Sequence, residues 1–268
     1  MLLAVDIDNA QISFGLFEDV DEDSVNKIFK IATVANKTSD EYAVTIDAIL
    51  SRYCADVSDV DGVVISSVVP SLTEILKDAV LKVTGDANVL VVGKGIKTGF
   101  AIKIDNPSEL GTDLVANAAA VMYAKRKENK AKTPAVIIDM GTATTVFAIN
   151  GNGEYIGGSI LPGIGISFDV LHGRAAQLPI VTPAAPINII GRNSSDSVRS
   201  GIILGSAIMI DGFIDRFADE MKTSKTDVYI TGEYAEQVIP YCKHGMIRVE
   251  SLTLLGLAYI YRNNFKLK

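Results

Sequence analysis

The chain begins with the stretch LLAVDIDNAQISFGLF, residues 2–17. An apolar run leads to Asp6, a short turn carries a second carboxylate at Asp8, and an alternating segment follows. This pattern predicts a buried strand, a tight turn and a second strand. Two carboxylates at the end of a buried strand need a physical reason, because burying unpaired charge is costly.

A second copy of this pattern occupies residues 135–150, which read AVIIDMGTATTVFAIN. When Asp139 is placed over Asp6, Gly141 falls over Asp8 and Phe147 over Phe14. The offset of 133 residues (139 − 6) is about half of the 268-residue chain. A repeat of this length is too long for a solenoid and predicts a duplicated domain.

Composition and net charge argue against some classes of binding protein. The chain is 48% hydrophobic and has a net charge of −7 with a pI near 4.9, which argues against broad nucleic-acid or anionic-membrane binding. Two distant cysteines, Cys54 and Cys242, favour a reducing compartment over a disulfide framework. No signal peptide and no apolar run of about eighteen residues is visible, so we expect a cytoplasmic protein without a membrane span.

Strand-like and helix-like segments alternate in the same way in both halves. Three strands are followed by a helix, a strand, a helix and a strand, and an Ala-rich helix begins near residues 111–113. Parallel strands with crossover helices predict an α/β layered fold. We expect two related domains, residues 1–125 and 126–268, divided near residues 125–134.

The two turns suggest a nucleotide site. Ligands of layered α/β domains collect at the carboxyl ends of strands. Gly- and Thr-rich turns present backbone amides and hydroxyls to phosphate, and the Asp before the turn can hold a metal ion. Two such turns facing each other across a cleft would surround a nucleotide and its cation.

The sequence resembles the type III pantothenate kinases, within the superfamily of acetate kinase, sugar kinases, actin and the heat-shock ATPases. The resemblance covers essentially the whole chain. It is carried, in order, by DIDNAQISFG, DNPSELGTDLVANA, DMGTATT, GGSILPGI, IIGRNSSDSVRSGI and LTLLGL. It implies duplicated ribonuclease H-like (actin-like ATPase) domains with mixed sheets, helices on both faces and a cleft between them. It also implies ATP-dependent phosphorylation of pantothenate, the first step of coenzyme A biosynthesis, by a homodimer that uses Mg²⁺ or Mn²⁺ and K⁺ or NH₄⁺.

The resemblance also implies roles for individual residues. Asp113 matches the base that accepts the hydroxyl proton, and Asp139 matches the monovalent-cation ligand. Asp6 stands where a metal-handling carboxylate is expected. The first phosphate loop corresponds to Asp6, Ile7, Asp8, Asn9, Ala10, Gln11, Ile12 and Ser13, and the second to Gly141 and Thr142. The pantothenate-binding positions correspond to Ile104, Gly111, Thr112, Asp113, Leu114 and Ser194.

Four of these positions depart from the family pattern. The first loop of the family reads Asp-x-Gly-Asn-Thr, whereas this chain has Asp8 and Ala10 at the Gly and Thr positions. Leu114 replaces an Arg that would contact the pantothenate carboxylate, and Ile104 stands where Tyr is common. A carboxylate at position 8 would repel a triphosphate, and a glycine there would permit a positive φ.

Three hypotheses follow. The first is a type III pantothenate kinase, the second is a catalytically impaired paralogue that acts by binding, and the third is a kinase for another small alcohol. The helix that reads DLVANAAAVMY, residues 113–123, has small apolar residues that could pack against a second copy in a homodimer.

Overall fold

A computed structural model describes residues 1–19, 23–53 and 57–265. The chain forms two compact units that alternate along the sequence. The first unit comprises Met1–Phe100, Asn106–Lys127 and the C-terminal segment from Ser251; the second comprises Ala101–Asp105 and Glu128–Glu250.

The first unit contains a five-stranded mixed sheet in the order β3-β2-β1-β4-β5. The central strand β1 is antiparallel to β2 and parallel to β4. With elements numbered in chain order, the strands are β1 (Leu2–Ile7), β2 (Gln11–Phe17), β3 (Lys27–Ala32), β4 (Gly62–Ser67) and β5 (Asn88–Val91). Apolar side chains line both faces of β1, which explains its continuous hydrophobic run.

Helices cover both faces of this sheet. They are α1 (Ser39–Leu50), α2 (Pro70–Thr84), α3 (Thr112–Lys127) and α8 (Leu252–Asn264). The helices α1 and α2 enclose a core with one face of the sheet. Thr38 and Glu41 form a capping box at the start of α1, and Pro70 is the first residue of α2, where its fixed φ suits a helix start.

The helices α3 and α8 pack tightly together within the first unit. A Cβ atom on Gly256 would lie 1.8 Å from the carbonyl oxygen of Ala116, so only glycine allows this approach. The observed units therefore differ from the expected division at residues 125 and 126, because α8 returns to the first unit. Residues 114–122 are buried in the single chain, so they do not support the expected dimer face on α3.

The second unit contains a six-stranded sheet in the order β11-β10-β7-β8-β9-β6. Its strands are β6 (Ala101–Ile102), β7 (Ala135–Met140), β8 (Ala143–Ile149), β9 (Glu154–Pro162), β10 (Asp227–Thr231) and β11 (Ile247–Arg248). The five strands from β7 to β11 repeat the topology of β1 to β5. The predicted duplication is thus confirmed, and the two-residue strand β6 extends the second sheet beyond the repeat.

Helices also flank the second sheet. They are α4 (Ile164–Arg174), α5 (Ser194–Arg199), α6 (Gly205–Glu220) and α7 (Ala235–Val238), and a π-helical segment, Ser200–Leu204, joins α5 to α6. Within the part of the chain that the structure describes, residues 194–220 form one helix long and apolar enough, by length and composition alone, to cross a membrane. Several of its side chains belong to the core of the second unit.

The two copies of the hairpin differ by one residue. Three residues, Asp8 to Ala10, separate β1 from β2, whereas only Gly141 and Thr142 separate β7 from β8. Val146, opposite Ile138, is therefore the structural equivalent of Phe14, and the expected match of Phe14 with Phe147 is wrong. The shorter turn shifts the second strand by one position, which a sequence comparison without gaps does not detect.

Of the two cysteines, Cys54 lies outside the described residues. Cys242 is half-buried, and burial together with the nearby Asp211 raises its pKa to about 12. Its thiol is therefore an unreactive packing group.

Candidate functional site

The carboxyl edge of the first sheet gathers the first group of candidate residues. Asp6 lies opposite Ser66 of β4, and Ile7 lies opposite Ser67, so both strands end at the same level. Asp6 is only 6% exposed. The pairing of β1 with β4 therefore places the buried Asp6 carboxylate at the carboxyl edge of the sheet.

The first turn is held by hydrogen bonds to its neighbours. The backbone N–H of Asp8 donates to the carbonyl oxygen of Gln11 at 3.1 Å. Thr33, just after β3, donates its hydroxyl to the carbonyl oxygen of Asp8 at 2.6 Å and its N–H to that of Ala10 at 3.1 Å. The turn is therefore fixed from two sides.

Asp8 adopts an ordinary backbone conformation. Within residues 1–19, 23–53 and 57–265, only Asn129 and Lys222 combine a side chain with a positive φ. Gly141 in the second copy also lacks a positive φ. A glycine at position 8 would permit a positive φ, but the backbone of this turn does not adopt one in either copy.

Asp113 is positioned by the residue before it. The hydroxyl of Thr112 accepts a hydrogen bond from the N–H of Ser67 at 3.0 Å and donates to the carbonyl oxygen of Ser67 at 3.1 Å. It also lies 2.9 Å from the hydroxyl of Ser66. These contacts fasten the start of α3 to the end of β4, which brings Asp113 to the edge where β1 ends.

The Asp113 carboxylate folds back over its own helix start. A Cβ atom on Gly111 would lie 2.4 Å from Oδ1 of Asp113, so any larger residue would displace the carboxylate. Burial raises the pKa of Asp113, while hydrogen bonds from the backbone N–H groups of Leu114 and Asp113 act against this rise.

Asp8 and Asp113 influence each other electrostatically. The pKa of Asp8 rises from 3.8 to about 6, first because the carboxyl group is buried and second because the Asp113 carboxylate repels it. Lys30 on β3 acts in the opposite direction. Asp8 and Asp113 belong to separate sequence motifs, but their carboxylates interact electrostatically in the folded protein.

The second unit holds the other turn. Asp139 at the end of β7 lies opposite Thr145 of β8 and Thr231 of β10. A Cβ atom on Gly163 would lie 2.1 Å from the carbonyl oxygen of Thr142, so the start of α4 contacts the backbone of this turn directly. Thr142 itself is exposed and accessible to a ligand.

The remaining substrate candidates lie in different surroundings. Leu114 is buried in the first unit with an exposed fraction of 8% and offers no polar group. Ile104 is half-buried and lies near Gly157 in the second unit. Ser194 is exposed at the start of α5, in the wall of a cavity of about 750 Å³ whose lining also includes Leu171 and Val198.

Sequence reasoning missed several residues that build the site. Ser66 and Ser67 directly follow the apolar run of β4, and this position could have indicated them, because parallel strands end at one edge. Thr33 and Lys30 gave no comparable signal, since their roles depend on which strand pairs with β2.

The carboxylates do not by themselves form a complete metal cage. Among the residues that the structure describes, no group of three or more His, Cys, Asp or Glu side chains could hold a metal ion. Mg²⁺ is commonly held by only one or two carboxylates together with substrate phosphates and water. The Asp6 carboxylate at the end of β1 fits that mode.

Comparison with known proteins identifies the relatives of the chain. The family model described as type III pantothenate kinase matches residues 2–216. Type III pantothenate kinases from Thermobifida fusca and Moorella thermoacetica are 36% and 38% identical to it, each over 98% of this chain and 100% of the relative.

Solved structures share the fold. A Baf family protein from Campylobacter jejuni superposes with a TM-score of 0.60 at 20% identity, covering 98% of each chain. The ethanolamine utilization protein EutJ from Carboxydothermus hydrogenoformans gives 0.53 at 15% identity, covering 96% of this chain and 89% of its own. The expected fold class, duplicated actin-like ATPase domains with mixed sheets flanked by helices, is confirmed.

Proposed function

Since the chain belongs to the type III pantothenate kinase family, we propose that it transfers the γ-phosphoryl group of ATP to pantothenate, giving 4′-phosphopantothenate. This reaction is the first step of coenzyme A biosynthesis. The observation that carries the proposal is the placement of Asp113, a half-buried carboxylate fastened through Thr112 to the edge where β1 and β4 end.

Asp113 acts as the base in this reaction. The primary hydroxyl of pantothenate forms a bond to the γ-phosphorus, its proton passes to the Asp113 carboxylate, and the bond to the β-phosphate oxygen breaks to release ADP. The raised pKa of Asp113 suits this role, because a more basic carboxylate accepts a proton more readily.

The two turns bind the nucleotide phosphates. The first turn corresponds to residues 6–13. The second corresponds to Gly141 and Thr142, whose small side chains leave backbone amides and the Thr142 hydroxyl accessible to phosphate. Asp6 would hold Mg²⁺ or Mn²⁺, and Asp139 would hold K⁺ or NH₄⁺. When bound, these cations would neutralise charge on the phosphates and on the transferred group.

Transfer to a different small alcohol is the second candidate function. The buried Leu114 cannot make the charge-assisted contact to the pantothenate carboxylate that an arginine would make. A binding-only paralogue is the third, and it is favoured by the Asp8 carboxylate on the first phosphate turn.

A turnover assay separates the three. ADP release is measured with and without pantothenate while Mg²⁺, Mn²⁺, K⁺ and NH₄⁺ are varied, and the product is identified by mass spectrometry. Pantothenate-dependent ADP release with a product heavier by one phosphoryl group supports the proposal. Turnover only with other alcohols supports the second candidate, and nucleotide binding without any turnover supports the third.

We further propose that the protein is a homodimer, as the family resemblance implies, and that it is cytoplasmic, as its two distant cysteines favour. Exposed isoleucines of the second unit, such as Ile187 and Ile190 with exposed fractions of 81% and 82%, are available for contact with a second copy. Light scattering at micromolar concentration tests this, and a monomeric mass would contradict it.

A further inference from the structure

A row of four polar residues crosses the first sheet from its edge to its interior. Lys30 of β3 lies opposite Ser13 of β2, Ser13 lies opposite Asp6 of β1, and Asp6 lies beside Ser66 of β4. Directly opposite residues share a face of the sheet, so the four side chains emerge on the same face.

The solvent exposure of the side chains increases along this row from Ser66 to Lys30. Ser66 is fully buried and contacts Thr112, Asp6 is 6% exposed, Ser13 is half-buried, and Lys30 on the edge strand is exposed. The row therefore runs from the start of α3 to solvent. Its outer end is the part that a large polar ligand can reach.

The first turn lies close to the outer end of the row. Thr33 fastens the segment after β3 to the carbonyl oxygens of Asp8 and Ala10, which fixes β3 relative to the turn. Lys30 lies opposite Ser13, which is the third residue of β2 after the turn. Lys30 is thus held beside the turn by the backbone and is not an unrelated surface lysine.

The negative charge at this edge of the sheet favours a positively charged side chain beside the nucleotide. Asp6, Asp8 and Asp113 all lie at the carboxyl edge of the sheet, and a triphosphate would bring further negative charge. In the row from β3 to β4, Lys30 is the one positively charged residue. We propose that Lys30 binds a phosphate group of the nucleotide. This role rests on the proposed kinase function, and it adds a contact from β3 to the contacts made by the first phosphate turn.

There are two simpler alternatives. Lys30 could serve only to balance the negative charge of Asp8, or it could serve only to prevent the edge strand β3 from pairing with other chains. The strand offers a matched control. Lys27 is also an exposed lysine on β3, but it lies opposite Leu16, three residues further from the turn.

The first test measures binding of a non-hydrolysable ATP analogue by calorimetry, with Mg²⁺ and without pantothenate. We expect about tenfold weaker binding for Lys30→Met, as for the loss of one charge-assisted hydrogen bond, and less than twofold change for Lys27→Met. Lys30→Arg should retain most of the affinity. Equal affinities of Lys30→Met and wild type would overturn the proposal, with thermal unfolding as the check that each variant is folded.

The second test repeats Lys30→Met in an Asp8→Asn background. A phosphate contact predicts that the loss of affinity persists, whereas a lysine that only offsets Asp8 predicts that it disappears, which would overturn the proposal. Binding without phosphorylation of pantothenate would contradict the proposed function and leave the Lys30 comparison intact. A wild-type protein that binds no nucleotide would overturn the Lys30 proposal as well.

Discussion

Thr112 and Ser67 are joined by two hydrogen bonds, one from the Ser67 N–H to the Thr112 hydroxyl at 3.0 Å and one from that hydroxyl to the Ser67 carbonyl oxygen at 3.1 Å. This single side chain connects the end of β4 to the start of α3. The placement of Asp113 at the carboxyl edge of the sheet depends on it.

Thr112→Val should therefore lower activity by loosening the start of α3 from the end of β4. The valine keeps the shape of threonine but leaves polar groups of Ser66 and Ser67 without this partner, which costs about 1–3 kcal/mol of unfolding free energy. We expect kcat to fall more than KM for ATP rises, and Thr112→Ser to restore it. Thr45→Val, which removes an exposed hydroxyl on α1, is the control and should leave kcat unchanged.

Asp113→Asn should abolish most turnover and spare nucleotide binding. Loss of a general base reduces kcat by roughly 10²–10⁴-fold, because the hydroxyl proton then has no acceptor. Steady-state kinetics and calorimetry with an ATP analogue measure the two effects separately. Glu109→Gln, an exposed carboxylate shortly before α3, serves as the control. Near-normal kcat in Asp113→Asn would remove Asp113 from the mechanism.

Asp8→Gly should lower KM for ATP when Mg²⁺ is saturating. Two like charges about 6 Å apart repel by roughly 3 kcal/mol at an effective dielectric constant of about 20, and the substitution removes one of them. Because the backbone at Asp8 is ordinary, Asp8→Asn should have a similar effect. A large loss of activity in both variants would instead make Asp8 a working metal ligand.

Asp8 should also make stability depend on pH. Its pKa is 3.8 in an unfolded chain and about 6 in the folded protein, so the folded state binds the proton more tightly. Stability from this group is present below about pH 4 and is lost as the pH rises through 6. Asp8→Asn should therefore stabilise the metal-free protein at pH 7.5, by at most about 3 kcal/mol, and have little effect at pH 4. Denaturant unfolding at both pH values measures this, and an equal effect at the two would contradict the raised pKa.

Gly256→Ala should destabilise the first unit. The added Cβ would lie 1.8 Å from the carbonyl oxygen of Ala116, so α3 and α8 would have to separate, at a cost of about 1–3 kcal/mol. Gly212→Ala is the matched control, since a Cβ there meets no atom within 4 Å and alanine favours the helix. If both variants unfold at the same denaturant concentration as wild type, the close packing of α3 on α8 is not as described.

The sequence by itself determined the elements of this protein and the motifs at their ends. Apolar runs ending at Asp6 and Asp139 indicated two equivalent strand–turn–strand units, and the Ala-rich helix begins where the sequence predicted, near residues 111–113. These features are local, since periodicity, turn residues and caps act within a few positions of the chain.

Only the tertiary structure decided which of these elements meet. The return of α8 to the first unit, the one-residue difference between the two turns, and the closeness of Asp8, Lys30 and Asp113 all depend on contacts between distant segments. The charge on Asp8 illustrates the reason. Burial and the approach of Asp113, which lies far along the chain, set its pKa, and both arise only when β1, β4 and α3 pack together.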